Sequence, residues 1–334
     1  MENVEILNST GNSAADSTIK GGLILFRAVF GDILLSSYVS GSYALSYEVP
    51  SSDVDLYLFL KRPMTKKEEE LFDDIDDALF EMSFPPLDLI PRDIKDVKKK
   101  GIVKFKENFL HVWGEDLSEQ IEEPDIEGYI YNSLHGCFQL CRRNREGMET
   151  LQIPISPPDP KMPLLGFDER EMKFAGGVLA PCTKEIVVLG GWMASTLVAL
   201  SSKNIVPTKQ ECPQMYNEFV GDEWSSFIEG LHRDLRKLWN YEIPQDQFGL
   251  EMVREYALGL VEFENHFLKI YHQYLLDGLK FESLVRQRTH LIRLGQLIYR
   301  PQKVLSYLSE YTPASEEHKK ILEETIETVK SFIP

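Results

Sequence analysis

The chain has 334 residues and a formal net charge of −17, from 36 Lys and Arg against 53 Asp and Glu. Its length suffices for two domains with sizeable cores, and its 43% hydrophobic content is that of an ordinary globular protein. So acidic a surface repels polyanions, which argues against nucleic acid as a partner, and it attracts cations.

The residues up to about Asp16 are small and polar and predict a frayed terminus. Ser17 or Thr18 can cap a helix running to about Ser36, with Leu23, Phe26, Phe30, Ile33 and Leu34 at helical spacing. Its apolar stretch Gly22–Phe26 is cut short by Arg27 and Asp32, too brief for a membrane span, and a cytoplasmic protein is expected. After Tyr38 and Val39, Gly41-Ser42 opens a helix-like Tyr43–Tyr47 and offers backbone N–H groups and a hydroxyl to an anion. Pro50-Ser51-Ser52 then turns the chain into a strand from Asp53, in which Val54, Leu56, Leu58 and Leu60 alternate with Asp55, Tyr57 and Phe59. Side chains two apart on a strand share a face, so Asp53 and Asp55 project together. Adjacent carboxylates repel, and an all-oxygen pair suits a hard divalent cation such as Mg²⁺, with phosphate oxygens completing its shell. Ser52, beside them, can donate to a phosphate.

Thr65-Lys66-Lys67-Glu68 is a capping box that opens a helix to about Met82. Leu71, Phe72, Ile75 and Leu79 are its expected buried stripe, and Asp73, Asp74, Asp76 and Asp77 its solvated face. Phe84–Pro91 predicts a short strand with a lone acid, Asp88, between Leu87 and Leu89. Gly-Ser, a short helix, Ser-Asp-x-Asp-Leu and a strand with a third acid together resemble the signature of the nucleotidyltransferase superfamily, the polymerase-β-like fold. The resemblance implies a site in which Asp53, Asp55 and Asp88 hold one or two Mg²⁺, with Gly41, Ser42 and Ser52 on the triphosphate of ATP or another NTP. Asp88 is then a metal ligand, a general base or both. One departure is Ser46, where many members have a second glycine.

A basic stretch follows Pro91 (Arg92, Lys95, Lys98, Lys99, Lys100, Lys104 and Lys106), which either draws in a triphosphate or balances neighbouring acids. Phe105, Phe109, Val112 and Trp113 are expected anchors. Glu122–Asp125 marks a domain boundary, dividing a catalytic domain at 17–122 from a helical domain at 125–334. A helix is expected from Tyr129 to about Arg143, then an irregular connection through Pro154, Pro157, Pro158, Pro160 and Pro163. Cys137, Cys141, Cys182 and Cys212 form no Cys-x-x-Cys pair and read as buried free thiols.

From Thr183 the pattern is helical. Ile186, Leu189, Met193, Leu197 and Leu200 form one apolar face, and Met252, Tyr256, Leu260, Phe263, Phe267, Ile270 and Tyr274 another. Gly278 and Pro301 bracket a further helix over about Phe281–Tyr299, with Arg286, Arg288 and Arg293 on it and Arg300 beyond. The run Ser201–Lys209, followed by an amphipathic helix with Trp224, Phe227, Ile228, Leu231 and Leu235, is similar to the C-terminal domain of the aminoglycoside adenylyltransferases of the streptomycin/spectinomycin type. That similarity implies a role for Lys209 on the nucleotide phosphates. The arginine and tyrosine with which that family holds ATP fall here on Thr196 and Ala199, which cannot do that work. The helices beyond residue 240 also exceed what a short drug-modifying enzyme needs.

The expectation is an α+β chain, a small mixed-sheet nucleotidyltransferase domain followed by an all-α domain. Its expected reaction moves AMP from ATP onto a hydroxyl of a small, cationic acceptor such as an aminoglycoside. The alternatives are a protein or tRNA acceptor, and a non-catalytic nucleotide-binding regulator.

Overall fold

A first helix, α1 (Ser13–Phe30), starts where the Asn12 side chain accepts from the backbone N–H groups of Ala14 and Ala15, at 3.1 and 3.2 Å. The structure is a computed structural model and describes residues 4–174 and 178–333. The segment ahead of α1 is packed rather than frayed: Val4 is 1% exposed, and the Leu7 N–H donates to the Val112 carbonyl at 2.9 Å. Residues 1–3 lie outside the described residues. The helix stops earlier than its apolar spacing predicts because Gly31, at φ 65°, turns the chain out of it. Ile33 and Leu34 keep a helical spacing by coincidence, and Leu34 already belongs to a strand, β1 (Leu34–Ser40).

Three more strands follow, β2 (Val54–Leu60), β3 (Leu87–Asp93) and β4 (Phe109–Gly114), in the spatial order β3-β2-β1-β4. β1 runs antiparallel to β2 and β4, whereas β2 and β3 are parallel and are joined through α2 (Lys66–Met82). Thr65 and Glu68 form the expected capping box at the start of α2. Its stripe is shallower than predicted, with Phe72 buried and Leu71 44% exposed. Asp76 is not on a solvated face. Its carboxylate accepts the Leu89 N–H at 2.9 Å, which ties α2 to β3, and burial together with nearby acids pushes its pKa up to about 6.

The alternation along β2 creates two cores. Val54, Leu56 and Leu58, with Leu87 and Leu89, pack against Ile19, Leu23 and Phe26 of α1. On the other face, Tyr38 and Phe59 meet Ile94 and Val97 of α3 (Ile94–Lys100), with Phe105 of the short α4 (Phe105–Asn108). The lysines of this region balance their neighbourhood: Lys100 pairs with Asp96 at 2.6 Å, Lys104 with Glu123 at 3.5 Å and Lys106 with Glu119 at 2.8 Å.

The rest of the chain is mostly helical and shares one large core. Asp125 caps α5 (Ile126–Arg143), and α6 (Lys184–Ser202) runs through the middle. α6 is long and apolar enough to cross a membrane by composition. In this fold its Ile186, Leu189, Met193 and Leu197 are at most 2% exposed within the protein core. The single amphipathic helix expected around Trp224 is instead α7 (Cys212–Phe219), α8 (Ser225–Gly230) and a π-helical turn over Leu231–Leu238. Then come α9 (Gln247–Phe281), α10 (Leu284–Gln296), α11 (Pro301–Ser309) and α12 (Glu316–Lys330). Gly278 does not open a helix. It lies inside α9, small because the His290 ring packs where a Cβ would stand, and Ser283 caps α10. Of the α10 arginines, Arg286 pairs with Glu282, Arg288 with Glu317, and Arg293 lies over the Tyr131 ring at 4.5 Å. All four cysteines are buried and free, and burial pushes the Cys212 thiol up to about 11.

The two parts meet at the loop between β1 and β2, at the end of α4 and at the end of α2. Ser51 donates to Asn240 Oδ1 at 2.8 Å, Asn108 Nδ2 to the Pro207 carbonyl at 2.7 Å, and Lys173 Nζ to the Ser83 carbonyl at 3.0 Å. Asn240 and Tyr241, at φ 49° and 64°, are two consecutive left-handed residues, a strained turn at this seam.

Candidate active site

Gly41 leaves β1 at φ 71°, and a Cβ on it would come within 2.7 Å of Asp55 Oδ2. Only glycine lets the loop pass this close to the acid. The following Tyr43–Tyr47 is a series of turns rather than a helix, closed by the Tyr47 N–H on the Ser42 carbonyl at 3.1 Å. Ser46 stands at φ 55°, a conformation that glycine favours. Ser52 closes the end of the loop, its Oγ accepting the Val49 N–H at 2.9 Å.

Asp55 and Asp88 are direct register partners on β2 and β3, so their side chains leave the same face of the sheet. Asp53 lies two residues before Asp55. Burial and the charges of Asp53 and Asp88 push the Asp55 pKa up to about 7, and burial with the Asp53 charge raises that of Asp88. Burial acts the same way on Asp53, but there the Lys184 ammonium prevails and holds the carboxyl below its usual value. Lys184 Nζ is 2.7 Å from Asp53 Oδ2 and comes from the first residue of α6. No three Asp, Glu, His or Cys side chains converge on one point among the described residues.

Lys209, on the loop before α7, lines the cleft. The residue is exposed as a whole, yet desolvation by the surrounding walls lowers its pKa against the pull of Asp55. Two groups that sequence reasoning missed come from the π-helical turn. Arg236 is 3% exposed and donates to the Tyr241 hydroxyl at 2.7 Å and the Tyr47 carbonyl at 3.2 Å, with no carboxylate in ion-pair range among the described residues. His232, one π-helical turn earlier, is held neutral: burial, then Arg236, pulls its pKa down to about 4. Lys184 was also missed. Arg233, Asp234 and Lys237 share the run Leu231–Leu238 with His232 and Arg236, so its pattern alone does not single the two out. Thr196 and Ala199 contribute no charge: the Thr196 hydroxyl bonds the Trp192 carbonyl at 2.8 Å, and Ala199 is fully buried.

A cavity of about 460 Å³ opens beside Gly41 and Lys209, walled by Tyr47, Phe109, Tyr129 and Trp192 and reached by His232. A second, of about 690 Å³ and polar, is bounded by the acids Glu146, Asp159, Glu169 and Glu185 and by Arg143 and Arg170. Glu185 adjoins Lys184 in the chain and is balanced by Arg143 at 3.0 Å and Arg170 at 3.4 Å.

A scan against protein-family models gives no match, and a search of curated proteins gives none. Among solved structures the chain is similar to spectinomycin adenyltransferase AAD(9) from Enterococcus faecialis, solved with ATP and spectinomycin. The TM-score is 0.45 and the identity 12%, over 74% of this chain and 98% of that one.

Proposed function

We propose that this chain is a Mg²⁺-dependent nucleotidyltransferase that moves AMP from ATP onto a hydroxyl of a small acceptor. The observation that carries the reading is the pairing of Asp53, Asp55 and Asp88, at one end of the sheet, with Lys184 and Lys209 from the helical part, beside an aromatic-walled cavity. On this reading residues 17–122 form the catalytic domain and 125–334 the domain that closes the cleft.

The donor set fits a hard divalent cation, being oxygen only and placed where burial together with like charge raises Asp55 and Asp88. Asp53, Asp55 and Asp88 would hold Mg²⁺, which supplies electrophilic assistance to the phosphoryl group. The other roles belong to the chain. Gly41 and Ser42 bind the triphosphate through backbone N–H groups and a hydroxyl, and Ser52 shapes and lines the same loop. The acceptor oxygen forms a bond to the α-phosphorus as the bond from that phosphorus to the β-bridging oxygen breaks, and Asp88 takes the acceptor proton. A raised pKa suits Asp88 to that task. Lys209 and Arg236 offset the charge on the departing pyrophosphate. The aromatic cavity takes the base, and the acid-lined one takes an acceptor bearing amines.

The test is pyrophosphate release from each of the four NTPs with a panel of hydroxylated amines, using Asp55→Asn as the blank. Mg²⁺-dependent release by the wild type alone supports the reading. Equal release by the variant overturns it.

A further inference from the structure

Lys184 is placed unusually for a lysine at a helix start. Its side chain is 10% exposed, its ammonium bonds Asp53 Oδ2 at 2.7 Å, and this is the one side-chain hydrogen bond it makes among the described residues. It is not recruited by its own neighbourhood: Glu185 is already balanced by Arg143 and Arg170. Its backbone is pinned at the seam, because Thr183 donates its N–H to the Tyr241 carbonyl at 2.9 Å and its hydroxyl to the same oxygen at 3.2 Å. The side chain therefore reaches across to an acid 131 residues away in sequence.

A lysine in that position has a consequence for any cation that Asp53 serves. An ammonium and a divalent ion on one carboxylate stand a few ångströms apart as like charges, and in a recessed cleft that repulsion is weakly screened. Asp53 holds one or the other. A triphosphate changes the balance, since it offers the ammonium new oxygens next to Lys209 and Arg236.

We propose that Lys184 is a resident counter-ion of the empty site, which bars a divalent cation from Asp53 until a nucleotide arrives to take over its charge. This rests on the reading above, that the acids serve a cation. The site then takes cation and nucleotide together and discriminates against the cation alone, and the two ligands bind cooperatively through one side chain. Lys184 is on this account a positioning residue.

The experiment titrates Mn²⁺ by electron paramagnetic resonance, at fixed pH, with and without ATP, into the full chain as wild type, Lys184→Met, Lys184→Arg and Asp55→Asn. Wild type should bind Mn²⁺ alone weakly and much more tightly with ATP. Lys184→Met should bind Mn²⁺ alone about tenfold or more tightly than wild type, the size of a neighbouring-charge effect. It should also lose most of the ATP-induced gain. Lys184→Arg keeps the charge and should behave as wild type, and its thermal melting curve checks the fold without depending on Lys184→Met. Equal Mn²⁺ affinity of wild type and Lys184→Met, in the presence of normal ATP-supported binding, overturns the proposal. Binding by Asp55→Asn indistinguishable from wild type overturns the metal reading itself, and the counter-ion role with it.

Discussion

The Arg236 guanidinium lies 5.3 Å from the centroid of the Tyr47 ring and donates to the Tyr47 carbonyl at 3.2 Å, although the two residues are 189 positions apart. It is a buried charge facing the loop that begins at Gly41 and Ser42, and on the proposed function it serves the nucleotide there. Arg236→Met should weaken MgATP binding by about tenfold or more, in line with ~1.5–3 kcal/mol for a hydrogen bond to a charged group. Isothermal titration is the check. Affinity within twofold of wild type would remove Arg236 from the nucleotide site.

Gly41 is constrained twice, by its positive φ and by Asp55. Gly41→Ala should cost ~1–2 kcal/mol of stability for the left-handed backbone. It should also reduce turnover far more than that loss explains, because the new Cβ displaces the acid. Denaturant melts and pyrophosphate release, measured on the same preparation, separate the two effects.

Asp55 is crowded by Asp53 and Asp88, so its charge works against folding. Asp55→Asn removes that repulsion. The variant should be ~1–2 kcal/mol more stable than wild type near neutral pH, in the absence of nucleotide, while releasing no pyrophosphate. A lower melting temperature would mean that the carboxylate is compensated in the empty site.

Arg145 and Glu264 form an ion pair at the centre of the helical core, 7% and 0% exposed, and Arg145 also donates to the Ser156 and Cys141 carbonyls at 2.7 and 2.9 Å. Breaking it with Glu264→Leu leaves an uncompensated buried cation and should cost about 3–5 kcal/mol. Adding Arg145→Met to that variant should recover a large part of the loss in urea denaturation, since an apolar pair needs no counter-charge.

His232 and His272 are 7% and 4% exposed, and burial pulls both pKa values down to about 4 from 6.5. Below pH 6.5 the unfolded chain takes up protons that the folded one refuses. Stability should therefore be full above about 6.5 and fall as the pH drops towards 4, by up to about 3 kcal/mol per histidine. His272→Phe keeps the edge-on contact with Tyr299 and should flatten that slope in melts taken across the range.

The acids were readable in the sequence because their signal is local: alternation fixes Asp55 on the face opposite Val54 and Leu56, and a lone Asp88 in an apolar strand has few structural explanations. The capping box at Thr65 and the apolar face of α6 were readable for the same reason. β1 was not, because Phe30, Ile33 and Leu34 continue a helical spacing across Gly31, and one backbone angle decides against it. Lys184, His232 and Arg236 escaped because their partners lie far away in the chain, so that nothing in their own surroundings separates them from solvated residues. Gly278 misled in the opposite sense: its lack of a side chain serves the His290 ring rather than a helix end.

The three acids and most of the cavity walls come from different stretches of the chain. Asp55 and Asp88 sit on two adjoining strands and Asp53 just ahead of the first, while most residues lining the two cavities come from position 108 onward. A change at Trp192, Tyr129 or Glu169 alters which molecules fit and leaves the sheet that carries the acids untouched. On the proposed function, selectivity can thus drift under mutation while the chemistry is kept, and a laboratory library confined to those wall positions should yield new acceptors at little risk to the reaction.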